Sequence, residues 1–97
     1  MRCEMYEKEV YEIAELFKSF ADATRVKIML SLFNTEKSVS EIVEAVGASQ
    51  TAVSHQLRAL KQSHLVKCRR EGKNMIYSIA DDHVETIINT AAEHIEE

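Results

Sequence analysis

Asp81, His83, His94 and Glu97 place imidazole and carboxylate side chains together at two points near the end of the chain, the two histidines eleven positions apart. Both groups are common zinc ligands. From about Asp82 onward the stretch DHVETIINTAAEHIEE has no Gly or Pro. Its apolar residues Val84, Ile87, Ile88, Ala91, Ala92 and Ile95 recur at three-and-four spacing, which predicts an amphipathic helix. On that helix His83 and His94 stand about 16 Å apart along the axis, whereas the ligands of one zinc ion lie within about 2 Å of it. One helix cannot close the site. The separation corresponds to a rotation of about 1,100°, close to three whole turns, so both histidines share a face. An antiparallel copy related by a two-fold axis would set His83 of one chain beside His94 of the other, giving two equivalent N2O2 sites per dimer. His94 and Glu97, three positions apart, project together from a helix. Asp81 and His83 would diverge by about 200° if both were helical, so Asp81 is expected just before the first turn, where it is also a good N-cap.

A single His or acid on a charged terminal helix is ordinarily solvated surface. Four ligand-type residues in mutually consistent positions carry the metal reading, with the histidines as its firmer half. Asp82, Glu93 and Glu96 are neighbouring acids that could stand in as the oxygen donor.

Ninety-seven residues make one small domain, 1–97, too short for two cores, and dimerisation would add burial that such a chain lacks. There is no run of eighteen apolar residues, and the opening MRCEMYEKEVYE is charged throughout, so neither a membrane span nor a signal peptide is expected. A cytoplasmic location follows as an expectation. Two cysteines, Cys3 and Cys68, are too few for a disulfide framework and fit reduced thiols in that compartment.

The net charge of −4 argues at first against a nucleic-acid partner. Its distribution reverses that impression. Between Ser49 and Lys73, Arg58, Lys61, Lys67, Arg69, Arg70 and Lys73 face only Glu71, a local balance of +5 that leaves −9 on the remainder. A basic segment on an acidic body is the footprint of a nucleic-acid-binding face.

No repeat or linker interrupts the chain, and Gly47 and Gly72 are its only glycines, with no proline. Val10, Ile13, Phe17 and Phe20 follow helical spacing, as do Val26, Met29, Leu30 and Phe33 after Asp22, a candidate N-cap. Ser38 and Glu41 form a capping box ahead of Ile42, Val43 and Val46, and Gly47 falls where that helix should stop. Ser49 can cap a further helix whose Val53, Leu57 and Leu60 stripe faces the core. Its other side presents Gln50, Thr51, Ser54, His55 and Arg58. Two helices joined by a tight glycine turn, the second with a polar outer face, form a helix-turn-helix. Leu65–Arg70 and Met75–Ile79 are β-prone runs around Glu71-Gly72-Lys73-Asn74, which predicts a hairpin. Arg69, Arg70 and Lys73 cluster at its tip, as in a wing suited to phosphate or minor-groove contact.

Ser49-Gln50-Thr51-Ala52-Val53-Ser54-His55-Gln56-Leu57, Leu60-Lys61, His64-Leu65-Val66, Arg69-Arg70-Glu71-Gly72-Lys73 and Ile76-Tyr77-Ser78 together resemble the ArsR/SmtB family of metal-sensing repressors. With Ala21-Asp22-Ala23-Thr24-Arg25 the resemblance spans nearly the whole chain. It implies a mainly α fold with a small β-hairpin, a winged helix-turn-helix that forms a homodimer through its N- and C-terminal helices. It further implies a repressor that binds palindromic double-stranded operator DNA when metal-free and leaves it when metal binds. Some members use a Cys-x-Cys pair before the turn, but the matching positions here are Val43 and Ala45. Others bind zinc through Asp-x-His followed by a His and, three residues later, a His or Glu, the pattern of Asp81, His83, His94 and Glu97. With Glu97 last in the sequence, its side chain and a terminal carboxylate are alternative donors. By the same resemblance, His94 would donate its free ring N–H to the backbone carbonyl of His64, whose side chain could instead simply favour the helix end.

A mixed imidazole and carboxylate set without thiolate suits Zn(II), and Co(II) similarly, while nickel prefers more ligands. Four protein ligands leave no open position for a water nucleophile, so a sensor and not an enzyme is expected. Gln50, Ser54 and His55 are the candidates for base edges; Thr51, Arg58, Arg69, Arg70 and Lys73 are candidates for the phosphate backbone. Thiol-based redox or persulfide sensing through Cys3 and Cys68 is the alternative on the same scaffold, and a protein-binding dimer without a DNA role is a third class.

Overall fold

The computed structural model describes residues 7–97. Five helices run in the order α1 Glu7–Lys18, α2 Ala23–Ser31, α3 Val39–Val46, α4 Gln50–Gln62 and α5 Asp82–Glu96. Three strands, β1 Lys37–Ser38, β2 Val66–Glu71 and β3 Asn74–Ile79, form one antiparallel sheet in the order β1-β3-β2.

The helix starts obey the local chemistry of the sequence. Asp22 accepts from the Arg25 N–H at 3.1 Å and Ser49 from the Ala52 N–H at 3.1 Å, each satisfying a donor the first turn leaves orphaned. At α3 the capping box is complete: the Ser38 hydroxyl accepts from the Glu41 N–H at 3.3 Å, and the Glu41 carboxylate accepts from the Ser38 N–H at 2.8 Å. The second bond holds the Glu41 carboxyl below its ordinary range. Gly47, at φ 72, ends that helix in the left-handed conformation and opens the turn into α4.

Ile28, Met29, Leu32, Ile42, Val53, Leu57, Leu60, Leu65, Val66, Val84 and Ile88 make one continuous core. The predicted α4 stripe is therefore the buried one. Val10, Ile13 and Phe17 are helical as expected while Phe20 falls in the turn after α1; none of the α1 residues is buried, and Val10 and Phe17 are 50% and 56% exposed. In α2 the core residues are Ile28 and Met29, while Leu30 is 48% exposed and Val26 half-buried; Phe33, expected on the same helix, lies past its end and is half-buried. Periodicity identified the helices; it did not say which apolar face this single chain would cover.

The hairpin pairs Val66 with Ile79 through Glu71 with Asn74, leaving Gly72 and Lys73 as a two-residue connection. Gly72 takes φ 63 at the first of these positions, a backbone state that glycine adopts without a Cβ penalty. β1 was not expected. Two residues cannot display an alternation, yet Lys37 and Ser38 pair with Tyr77 and Ile76 and turn the hairpin into a three-stranded sheet. Among the described residues no helix is long and apolar enough to cross a membrane.

Candidate nucleic-acid interface and metal-ligand residues

With Val53, Leu57 and Leu60 buried at zero exposure, the far side of α4 must face outward, because the helical repeat puts the two sets on opposite faces. Gln50, Thr51, His55 and Arg58 are exposed there and Ser54 is half-buried. Neighbouring Gln56 is engaged internally. Its side-chain oxygen accepts from the Arg25 Nε, and Arg25 also donates to the Ser19 carbonyl at 3.5 Å, so α4 is braced against the start of α2. Sequence reading did not single out this brace, since 31 residues separate the two side chains.

α4 closes with a pair of backbone bonds. The Leu65 N–H donates to the Leu60 carbonyl at 3.0 Å and the His64 N–H to the Lys61 carbonyl at 3.1 Å, the Schellman pattern, with Leu60 and Leu65 both in the core. His64 occupies the position that glycine usually takes, at φ 62. Its placement is thus dictated by the helix end, and its ring is exposed. His64→Gly should relieve the left-handed strain of about 1–2 kcal/mol, offset by roughly 0.5–1 kcal/mol of added chain entropy. The expected net change is a gain of about 0.5 kcal/mol in a denaturation midpoint at fixed protein concentration; a loss of a kcal/mol or more would show that the His64 ring holds the structure together.

On the wing, Lys73 lies in the turn and Arg70 Nε donates to the Gly72 carbonyl at 3.4 Å. Arg69 is differently placed. Its guanidinium pairs with Glu36, through Nη2 and Nε, and with Glu71 through Nη1 at 2.8 Å. The Arg69 hydrogen bonds hold the Glu36 carboxyl below its ordinary range, and the two acids raise Arg69 in return. Glu36, 33 residues away, carried no signal in the sequence.

At the other end of the chain Asp81 is the N-cap of α5, as expected. One carboxylate oxygen, Oδ1, accepts from the His83 N–H at 2.9 Å and lies 3.3 Å from the His83 ring Nδ1. The cap thus brings Asp81 and His83 together and leaves the second carboxylate oxygen outside these contacts. The His83 side chain is 90% exposed. His94 and Glu97 are exposed at the far end of α5, where the Glu97 N–H donates to the His94 carbonyl at 3.4 Å. Among the described residues of one chain, no three His, Cys, Asp or Glu side chains come together in a group that could hold a metal ion. Cys68 is a free, half-buried thiol on β2, and Cys3 lies outside the described residues.

The bacterial regulatory protein arsR family model matches residues 22–67, which run from the cap of α2 through the helix-turn-helix into the wing. A transcriptional repressor SmtB homolog from Synechocystis is 40% identical over 89 residues, covering 92% of this chain and 67% of that protein. The chain belongs to the ArsR/SmtB family. Further ArsR relatives include a cadmium resistance transcriptional regulatory protein CadC homolog from Staphylococcus aureus, 39% identical over 85 residues, covering 86% of this chain and 69% of that protein. The homodimeric winged helix-turn-helix DNA-binding domain from Mycobacterium bovis superimposes with a TM-score of 0.80 at 30% identity, covering 98% and 94% of the two chains. An ArsR/SmtB chain is a DNA-binding transcription regulator and not an enzyme.

Proposed function

We propose that this ArsR/SmtB protein is a homodimeric, metal-responsive repressor that binds palindromic operator DNA when metal-free and releases it on binding Zn(II) or Co(II). The observation that carries the reading is the pair Asp81 and His83, gathered by the N-cap at one end of an exposed helix that presents His94 and Glu97 at its other end. Relatives named as a repressor SmtB homolog and a cadmium resistance regulator support a metal ligand.

The dimer rests on apolar surface that a lone chain leaves in water. Val10, Ile13 and Phe17 line one side of α1, and Ile95 on α5 is 81% exposed. Covering such residues releases about 25 cal/mol per Å² of apolar area, so a two-fold partner is the economical occupant. The homodimeric Mycobacterium bovis neighbour agrees with that assembly.

Asp81 and His83 would hold the ion together with His94 and Glu97 of the partner subunit, an N/O set without thiolate that fits a borderline divalent cation. The ion would supply a fixed link between two α5 helices. The Leu65 carbonyl accepts from the Ala80 N–H at 3.1 Å, so the chain entering Asp81 is tied to the residue that closes α4. Any shift of Asp81 is thereby passed to the end of the recognition helix. In this scheme Gln50, Ser54 and His55 meet base edges, and Thr51, Arg58 and the wing meet phosphates.

The test is a zinc titration of the dimer with and without a duplex of about 30 base pairs, selected by the metal-free protein from a random pool and long enough for two half-sites a turn apart. Saturation at two ions per dimer with a fall in DNA affinity of about 5- to 150-fold is expected. Unchanged DNA affinity at saturating zinc and cobalt would overturn the sensing role.

A further inference from the structure

The wing carries three cations near its tip, and strand geometry does not treat them alike. Successive residues of a strand point to opposite faces of the sheet. On β2, Val66 is buried and Cys68 half-buried, so Arg70 belongs to the core-side face. Lys67, Arg69 and Glu71 lie on the other face. Tyr77, paired with Cys68 and therefore on the Arg70 side, is within electrostatic reach of Arg58 and Lys61 of α4. The face that carries Arg70 is thus continuous with the cations of the recognition helix, and the face that carries Arg69 is turned from them.

Arg69 is also engaged by acids. All three guanidinium nitrogens are taken by carboxylates, Nε and Nη2 by Glu36 and Nη1 by Glu71, a cluster of one cation and two anions with a net charge of −1. A phosphate approaching the two N–H groups that remain would meet both acids and be repelled by them. The connection crosses the sheet: Arg69 is in register with Ile76, Ile76 with Ser38, and Glu36 lies two residues before Ser38. Two strand spacings are about 10 Å, so the ion pairs span the whole width from β2 past β3 to the start of β1. Among the described residues neither Arg70 nor Lys73 forms an ion pair.

We infer that Arg69 is a positioning residue, strapping the wing across the sheet to Glu36 and Glu71, and that Arg70 is the wing arginine that meets phosphate. This rests on the proposed function, in which α4 and the wing meet DNA. It changes the role that sequence alone assigned to Arg69.

Two measurements on the full chain test it. In the metal-free dimer with the selected duplex, Arg70→Gln should lower the log–log salt slope by about 1.8, roughly 0.9 per wing. Arg69→Gln should weaken binding with the slope unchanged. Arg69→Lys should behave like Arg69→Gln, because lysine keeps the charge but loses the fork that engages two acids. A slope lowered by Arg69→Gln and restored by Arg69→Lys would overturn the inference. Without DNA, amide exchange at Ile76 and Tyr77 should be about 5-fold faster in Arg69→Gln and Glu36→Gln and unchanged in Arg70→Gln. Equal exchange in all three variants would equally overturn it. If the parent bound no duplex, the DNA-binding assignment would fall, and the exchange comparison would still judge the strap.

Discussion

His94→Ala is expected to abolish zinc-driven release from DNA while leaving metal-free DNA affinity within about 2-fold of the parent, since His94 lies at the end of α5 and belongs to neither α4 nor the wing. His83→Ala should do the same. Each substitution removes one imidazole from both proposed sites, and zinc affinity should fall by more than about 100-fold, beyond the 10- to 100-fold typical of losing a mere supporting group. Either variant releasing DNA at the parent's zinc concentration would sink the sensing mechanism. Asp81 needs a different substitution, because its carboxylate also caps α5 through the His83 N–H. Asp81→Ala would remove cap and ligand together, at a stability cost of about 1 kcal/mol. Asp81→Ser retains a capping oxygen and removes the carboxylate, so it should keep parental stability and lose zinc response. A serine variant with unaltered response would assign Asp81 to the helix alone.

Leu57→Ala should have the largest effect on stability. Leu57 is fully buried at the centre of the α4 stripe, packed in the core that includes Ile28 and Ile42. Removing its branched end costs the transfer energy of the lost carbons plus that of the cavity, about 3 kcal/mol. For a domain of this size total stability is about 5–15 kcal/mol, and such a loss lowers the melting temperature by roughly 15 °C. Parent and variant must be compared at one protein concentration, because a dimer gains stability by mass action. His55→Ala, on the exposed side of the same helix, should change stability by less than about 0.5 kcal/mol while weakening DNA binding. Similar melting of the two variants would refute the assignment of buried and exposed faces on α4.

Much of this architecture is local and so was legible in the sequence. The caps at Asp22, Ser38, Ser49 and Asp81 form between side chains and amides two or three residues away. Gly72 marks the hairpin because a two-residue turn needs a positive φ there. The Val53, Leu57 and Leu60 stripe followed from helical periodicity, and with it the outward set Gln50, Thr51, His55 and Arg58.

Other features were beyond local reading for the same physical reason in reverse. The spacing of Val10, Ile13 and Phe17 showed a helix with an apolar face, but spacing does not distinguish a face for this chain's core from one left for another chain. Arg69 looked like a wing cation in a basic run; only the path of the chain before β1 brought Glu36 to it. Gln56 sat among recognition-helix polar residues until the packing of α2 on α4 supplied Arg25.

By itself, then, the sequence determined the helices, their ends, the wing and the spacing by which one α5 helix cannot close a four-ligand site. Tertiary structure decided which wing arginine is paired with carboxylates, which apolar faces stay uncovered, and that Arg25 reaches Gln56 across α2 and α4. Caps and periodicities are set by neighbours within a few residues, whereas charge pairing and burial depend on segments that meet only when the chain has folded.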